Sequence, residues 1–277
     1  RQAWDAAHLA DDDINEWDNP YFGFPEMIRF AFHPNESSRK KMEELQKQGV
    51  SAAMSALFKP LSTKKDIKTH AHKKFRFERE ITELLRVIDG TQEDENLLGF
   101  LDYDKLKDGK MCRHLVMVLP YRASCDAMEA LIDKYRDEFK NLGNYRIINI
   151  SGVEGSKNYK RPSDVKRIIR ECEAEDQKTL TLTVNRMLTG STVEQWDTML
   201  YFKDTASPQE YDQSIFRLQN QYTRELRDED GHVIKENLKP QTLLVDFDPA
   251  RLFRMQEQKA LIYNANVEKV GNAKLKA

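Results

Sequence analysis

Residues 179–221 read TLTLTVNRMLTGSTVEQWDTMLYFKDTASPQEYDQSIFRLQNQ, and the order of local signals in this stretch decides how the rest of the chain is read. Polar and apolar residues alternate over 179–184, the period of a strand. The alternation stops at Thr189-Gly190-Ser191-Thr192, where glycine among small hydroxyl residues predicts a turn with exposed backbone amides. A second short strand is expected at 198–202. Ser207-Pro208-Gln209-Glu210 then supplies an N-cap serine, a proline at the first helical position and a glutamate that closes a capping box, so a helix should begin there. On that helix Tyr211, Ile215, Leu218 and Tyr222 make one apolar stripe, and Gln213, Arg217 and Asn220 share the opposite face, where chemistry is expected.

Upstream, HLVMVL at 114–119 is a continuous apolar run of strand length, the kind covered on both faces of a parallel sheet. Pro120 ends it, Asp126 with Glu129 predicts a helix start, and Met128, Leu131, Ile132, Tyr135 and Phe139 carry a helical stripe towards Gly143. A strand is expected at 145–150. Pro162-Ser163-Asp164 opens a further helix whose Val165, Ile168, Ile169 and Cys172 share a face. The series strand, helix, strand, helix, strand means an α/β fold, a parallel sheet flanked by helices. Downstream, QTLLVDF at 241–247 predicts a last buried strand, and Asp248-Pro249 is expected to cap a terminal helix through Met255 and Leu261.

The amino-terminal third is less regular. An acidic run, Asp11-Asp12-Asp13, precedes NPYFGFPEM, and the apolar segment 27–32 is expected to be an edge strand. The apolar spacing over 37–58 permits a helix, interrupted or ended by Gly49. Residues 64–79 are basic and contain His70 and His72; they read either as a phosphate-facing patch or as solvated surface. Two histidines without a third ligand nearby do not make a metal site. Residues 77–88 read as an amphipathic helix with Gly90 as its stop.

Composition bounds the function more than it identifies it. With 277 residues and 39% apolar content the chain can build one large domain or two small ones. Its 44 basic and 46 acidic residues nearly cancel, so any nucleic-acid surface must be local. Cys112, Cys125 and Cys172 lack metal-ligand spacing, which favours buried reduced thiols and a cytoplasmic setting. No apolar run approaches the roughly 20 residues that span a bilayer, so no membrane partner is expected.

HLVMVLPYRASCDAMEAL, LTLTVNRMLTGSTVEQWDTMLYF and SPQEYDQSIFRLQNQ resemble the fourth, fifth and sixth motifs of superfamily 2 helicase-like ATPases, in that order. The run TLT, LTGSTVEQWDT, FRLQNQ and VDFDPARL is similar to the DEAD/DEAH helicase proteins associated with restriction-modification systems. The resemblance covers roughly residues 100–262. It implies the second of two RecA-like lobes, with ATP and Mg²⁺ held mainly by the first. Arg217 matches the arginine that stabilises the charge on the transferring γ-phosphate, and Gln213 the glutamine that positions this motif near the nucleotide. Asn220 stands where many members carry a second arginine, a departure that bears on any two-arginine mechanism. Thr189, Gly190 and Ser191, with Thr183 and Asn185 on the approaching strand, match the motif that touches the nucleic-acid backbone, and Tyr121 and Arg122 match a further backbone contact. Each has a plainer reading: an ordinary tight turn for Gly190, a polar loop for Tyr121 and Arg122, a surface ion pair for Arg217.

No GxxxxGK[ST] phosphate loop occurs, and no nuclease cluster or glycine-rich methyltransferase loop can be assembled. With the chain opening on Arg1, a fragment is expected: a connector over 1–99 following a missing first lobe, the second lobe over 100–263 and a tail over 264–277. The expected partners are DNA, contacted through its backbone, the first lobe of the same parent chain, and nuclease or methyltransferase parts elsewhere in that parent. Two readings compete with the motor lobe. One is an ATPase-like lobe without turnover that binds DNA or protein; the other is a Rossmann-type enzyme, against which Pro120-Tyr121-Arg122-Ala123 stands in place of a glycine-rich loop.

Overall fold

A computed structural model describes residues 4, 7–8, 15–31, 54–92, 101, 111–159, 161–184, 192–205 and 207–247. In chain order the elements are β1 (Glu26–Ala31), α1 (Met54–Leu57), α2 (Glu78–Asp89), β2 (His114–Val118), α3 (Arg122–Lys134), β3 (Arg146–Asn149), α4 (Pro162–Ala174), β4 (Thr179–Thr183), β5 (Thr198–Tyr201), α5 (Pro208–Ile215), β6 (Thr223–Arg227), β7 (Val233–Asn237) and β8 (Gln241–Asp246). Six strands form one sheet in the order β1-β8-β5-β2-β4-β3. Every pairing within it is parallel. The fold is therefore α/β, as the alternation of elements predicts, and it is consistent with a RecA-like lobe.

The pleat sorts the core. Leu115, Met117 and Leu119 point to one face and pack with Ile81, Leu85 and Ile88 of α2 and Met128, Leu131 and Ile132 of α3. Val116 and Val118 point to the other and pack with Val165, Ile169 and Cys172 of α4 and Tyr211, Ile215 and Leu218 of α5 and the turn after it. Burying each such side chain stabilises the fold by about 1.5–3 kcal/mol, which is why β2, covered on both faces, is apolar from Leu115 onward. In β4 the same rule takes a different form. Leu180 and Leu182 join the first cluster, and the alternating Thr179, Thr181 and Thr183 are also buried. Their hydroxyls are matched: Thr179 Oγ1 lies 3.0 Å from His114 Nδ1, and Thr181 Oγ1 accepts from Trp196 Nε1 at 3.2 Å.

Several expectations change in detail. α3 opens at Arg122, not at Asp126, with Tyr121 in extended backbone before it (φ −127°, ψ 151°). Asp126 is buried inside the helix and binds a distant loop. Of the helix expected over 37–58, residues 54–58 fall among those described, and Met54–Leu57 are helical. The amides of Met54 and Ser55 donate to the Asp204 carboxylate at 3.3 and 2.7 Å. The expected edge strand is β1, paired with β8. α2 ends as predicted, with Gly90 at φ 80° donating to Val87 O. The terminal helix expected after Asp248-Pro249 lies outside the described residues. An antiparallel pair, β6 with β7, stands apart from the main sheet and has no counterpart among the expected elements.

Candidate functional site at the carboxyl edge of the sheet

Strands β2, β3 and β4 end side by side, and the residues just past them are tied together. Arg122, in the first turn of α3, donates from Nε to Ser151 O at 3.0 Å and from its terminal nitrogen to Gly152 O at 3.1 Å. Ser151 Oγ lies 3.1 Å from Thr183 Oγ1, so the ends of α3, β3 and β4 meet at one serine. Thr183 is buried, and Tyr121 is part-buried beside Arg122.

The loop after β3 is held from below by Asp126. Its carboxylate accepts from the amides of Val153 (2.6 Å), Glu154 (3.2 Å) and Gly155 (3.0 Å) and from Asn149 Nδ2 (3.1 Å). Successive amides converging on one anion form a nest, and a buried carboxylate is tolerated because its lone pairs find donors. Asn149 also donates to Glu129 at 2.8 Å and accepts from Gly152 N at 2.8 Å. Burial pushes the Glu129 carboxyl above its ordinary range. A Cβ on Gly152 would lie 2.2 Å from Asp126 Oδ1, and one on Gly155 would lie 2.4 Å from Asn149 Nδ2, so both positions demand glycine.

The basic segment docks onto the same loop. Pro60 and Phe75 form its neck, and Ser124 Oγ donates to Phe58 O at 2.6 Å. His72 is fully buried; its Nδ1 accepts from Asp66 N at 3.2 Å and its Nε2 lies 3.1 Å from Glu154 Oε2. Both ring nitrogens thus have partners within the protein. Lys73 and Lys65 approach the same Glu154 at 3.4 and 3.9 Å. His72 first, then these lysines, hold the Glu154 carboxyl below its ordinary range.

The polar face of α5 lies elsewhere. Ser207 Oγ accepts from Glu210 N at 3.3 Å, and the Glu210 carboxylate reaches Lys203 and Thr205. Tyr211 donates to Asp246 at 2.8 Å, fixing the helix to β8. Gln213 is exposed; Arg217 is part-buried on the 3-10 turn Phe216–Leu218 that follows the helix. Phe216 is 61% exposed, and Leu218 is buried. Asn220 Nδ2 donates to Arg217 O at 2.9 Å, so the amide caps the turn that carries the arginine. Two residues on, Tyr222 donates to Glu173 near the end of α4 at 2.6 Å. α5 thus carries the chain from the carboxyl edge back towards the amino edge. Tyr121, Arg122 and Thr183 are brought together, while Asn220 is tied to Arg217 through the backbone and Gln213 precedes them on α5. Asn185, Thr189, Gly190 and Ser191 lie outside the described residues.

Asn149, Ser151, Gly152 and Glu154 carry no motif that sequence reasoning picks out, and Asp126 reads there as a cap. The available signal was SGVEGSKN, two glycines three apart after a buried strand. Among the described residues, Asp228, Asp230 and His232 bring three potential metal ligands within 4.8 Å. They sit in the exposed β6–β7 turn, where Asp228 already accepts from Asp230 N at 3.0 Å and His232 N at 2.7 Å. No helix of the described residues is long and apolar enough to cross a membrane.

No protein-family model matches the chain. It is similar to a Mycoplasma pneumoniae protein named as a candidate type II restriction enzyme and methyltransferase, C-terminal part, with 28% identity over 146 residues. That match covers 53% of this chain and 19% of the relative, so the chain spans about a fifth of the length of the curated relative it matches.

Proposed function

We propose that this chain is the second motor lobe of an ATP-dependent DNA translocase or helicase in a restriction-modification protein. The observation that carries the reading is the setting of Arg217. It stands on a turn closed by Asn220 and backed by buried Ile215 and Leu218, at the end of a helix packed on a parallel sheet. The guanidinium that this turn carries is suited to the charge that spreads over the oxygens of a transferring phosphoryl group. Gln213 precedes it on the helix, and Asn220 positions it through the backbone. Gln213, Arg217 and Asn220 offer donors and amide groups but no carboxylate, a set suited to nucleotide phosphates and not to Mg²⁺. The metal and most of the nucleotide belong to a first lobe that supplies the phosphate loop.

At the carboxyl edge, Arg122, the nest-bound loop over 151–157 and the basic segment supply sequence-independent contacts to the DNA backbone. The similarity to a protein named for restriction and methylation supports a DNA partner. The purified 277-residue chain is expected to bind duplex DNA weakly and to hydrolyse no ATP alone. DNA-stimulated turnover by this chain alone would overturn the division of labour between lobes.

A further inference from the structure

The basic segment carries a feature that backbone contact does not use. Residues 59–79 contain eight Lys and Arg against two carboxylates. The loop within them is fixed at many points. Leu61 N donates to Lys74 O at 2.8 Å, Ser62 N to Ala71 O at 3.3 Å and Arg76 N to Lys59 O at 3.3 Å. Asp66 Oδ1 accepts from Lys68 N at 2.9 Å and Thr69 N at 3.1 Å, and buried His72 holds Asp66 N. On this fixed frame Ile67 is 73% exposed, the most exposed large apolar side chain among the described residues, and Leu61 is 57% exposed. Lys64, Lys65 and Lys68 flank Ile67 in sequence.

We propose that Ile67 is an apolar wedge that enters a DNA base step while the surrounding lysines hold the backbone. Apolar side chains presented among cations unstack base pairs in this way, and the lost stacking is offset by the larger protein surface that the bent duplex covers. The net charge of the loop selects a polyanion over a protein surface of mixed charge. The proposal rests on the DNA-backbone reading above and adds to it a deformation of the duplex.

The test uses the whole 277-residue chain and a labelled duplex of about 20 base pairs with a central 2-aminopurine, whose fluorescence rises when the base unstacks. Anisotropy reports binding and 2-aminopurine emission reports unstacking. Wild type is expected to bind with strong salt dependence and to raise the emission several-fold at saturation. Ile67→Ala is expected to bind within about threefold and to lose that rise, with an unchanged melting temperature. Lys64→Ala with Lys68→Ala is expected to weaken binding about tenfold at low salt and to reduce the salt slope by about 2. Saturated binding without unstacking, or unstacking that persists in Ile67→Ala, overturns the wedge and leaves the backbone reading standing. No binding to any duplex overturns both. Binding to phosphatidylserine vesicles that depends on Ile67, with no 2-aminopurine response, overturns the wedge in favour of a membrane contact.

Discussion

His72 Nε2 lies 3.1 Å from Glu154 Oε2 across 82 positions of sequence, and this contact, with Lys73 and Lys65 beside the same carboxylate, seats the basic segment on the loop that follows β3. His72→Ala removes a fully buried side chain with a partner on each ring nitrogen. Losing such bonds costs about 1–3 kcal/mol, and the loop 61–74 should lose amide protection first. Hydrogen exchange and urea unfolding measure both effects. Glu154→Gln should also loosen the loop, and here pH supplies the sign. The folded carboxyl is held below its ordinary value, so its contribution is full above the ordinary carboxylate range and fades as pH falls through the lowered folded value.

Gly152→Ala is the sharper probe of the nest. The new Cβ would lie 2.2 Å from Asp126 Oδ1 and within 2.7 Å of both amide atoms of Asn149, all in a buried cluster. Overpacking of this kind costs about 1–3 kcal/mol and moves the loop. The variant should fold with a lower melting temperature and bind duplex DNA more weakly than its loss of stability alone explains. If the affinity is unchanged while the loop shifts, the loop is not part of the DNA contact.

How legible was this in the sequence? Burial on both faces writes itself plainly in HLVMVL, alternation marks TLTLT as a strand although the structure buries its threonines too, and Pro162 and Ser207 mark helix starts where they are found. Asp126 misleads because a carboxylate near a helix start has the composition of a cap. Its partners at 153–155 lie 27 to 29 positions away, and no local pattern records them. His72 is hidden for the same reason: a histidine among lysines looks solvated, and only the fold shows it fully buried. The β6–β7 pair was missed because strands facing water on both sides leave no apolar alternation, and the Asp230-Gly231 turn was the signal that remained.

Lys239 couples stability to pH in alkaline solution. It is buried, donates to Glu194 O at 2.6 Å and Trp196 O at 3.2 Å, and burial lowers its pKa to about 8 from 10.5. The unfolded chain therefore holds a proton that the folded chain releases between about pH 8 and 10.5. In that window the unfolded state binds more protons, so this group makes stability rise with pH. Lys239→Met should flatten that rise, read as the difference between the two melting curves from about pH 7 to 10.5. A difference that does not change with pH would mean that the lysine is neutral or solvated throughout.

Arg217 can be separated from its neighbours in a protein that carries both lobes. A charge that acts mainly in the transition state lowers kcat when removed and leaves nucleotide affinity nearly intact, with losses on the order of 10³ or more for such arginines. Arg217→Ala should therefore reduce DNA-stimulated ATP turnover to that degree while DNA binding and melting temperature stay close to wild type. Asn220→Ala acts differently. It removes the 2.9 Å bond to Arg217 O, so the turn loosens and turnover should fall by less, with Asn220→Asp, which cannot donate from that position, behaving like the alanine variant. A surface ion pair would give another pattern, since losing one costs about 1 kcal/mol or less and leaves catalysis alone. Turnover of Arg217→Ala within a few-fold of wild type, with the fold intact, would remove this residue from the reaction and favour a lobe that binds without contributing to hydrolysis.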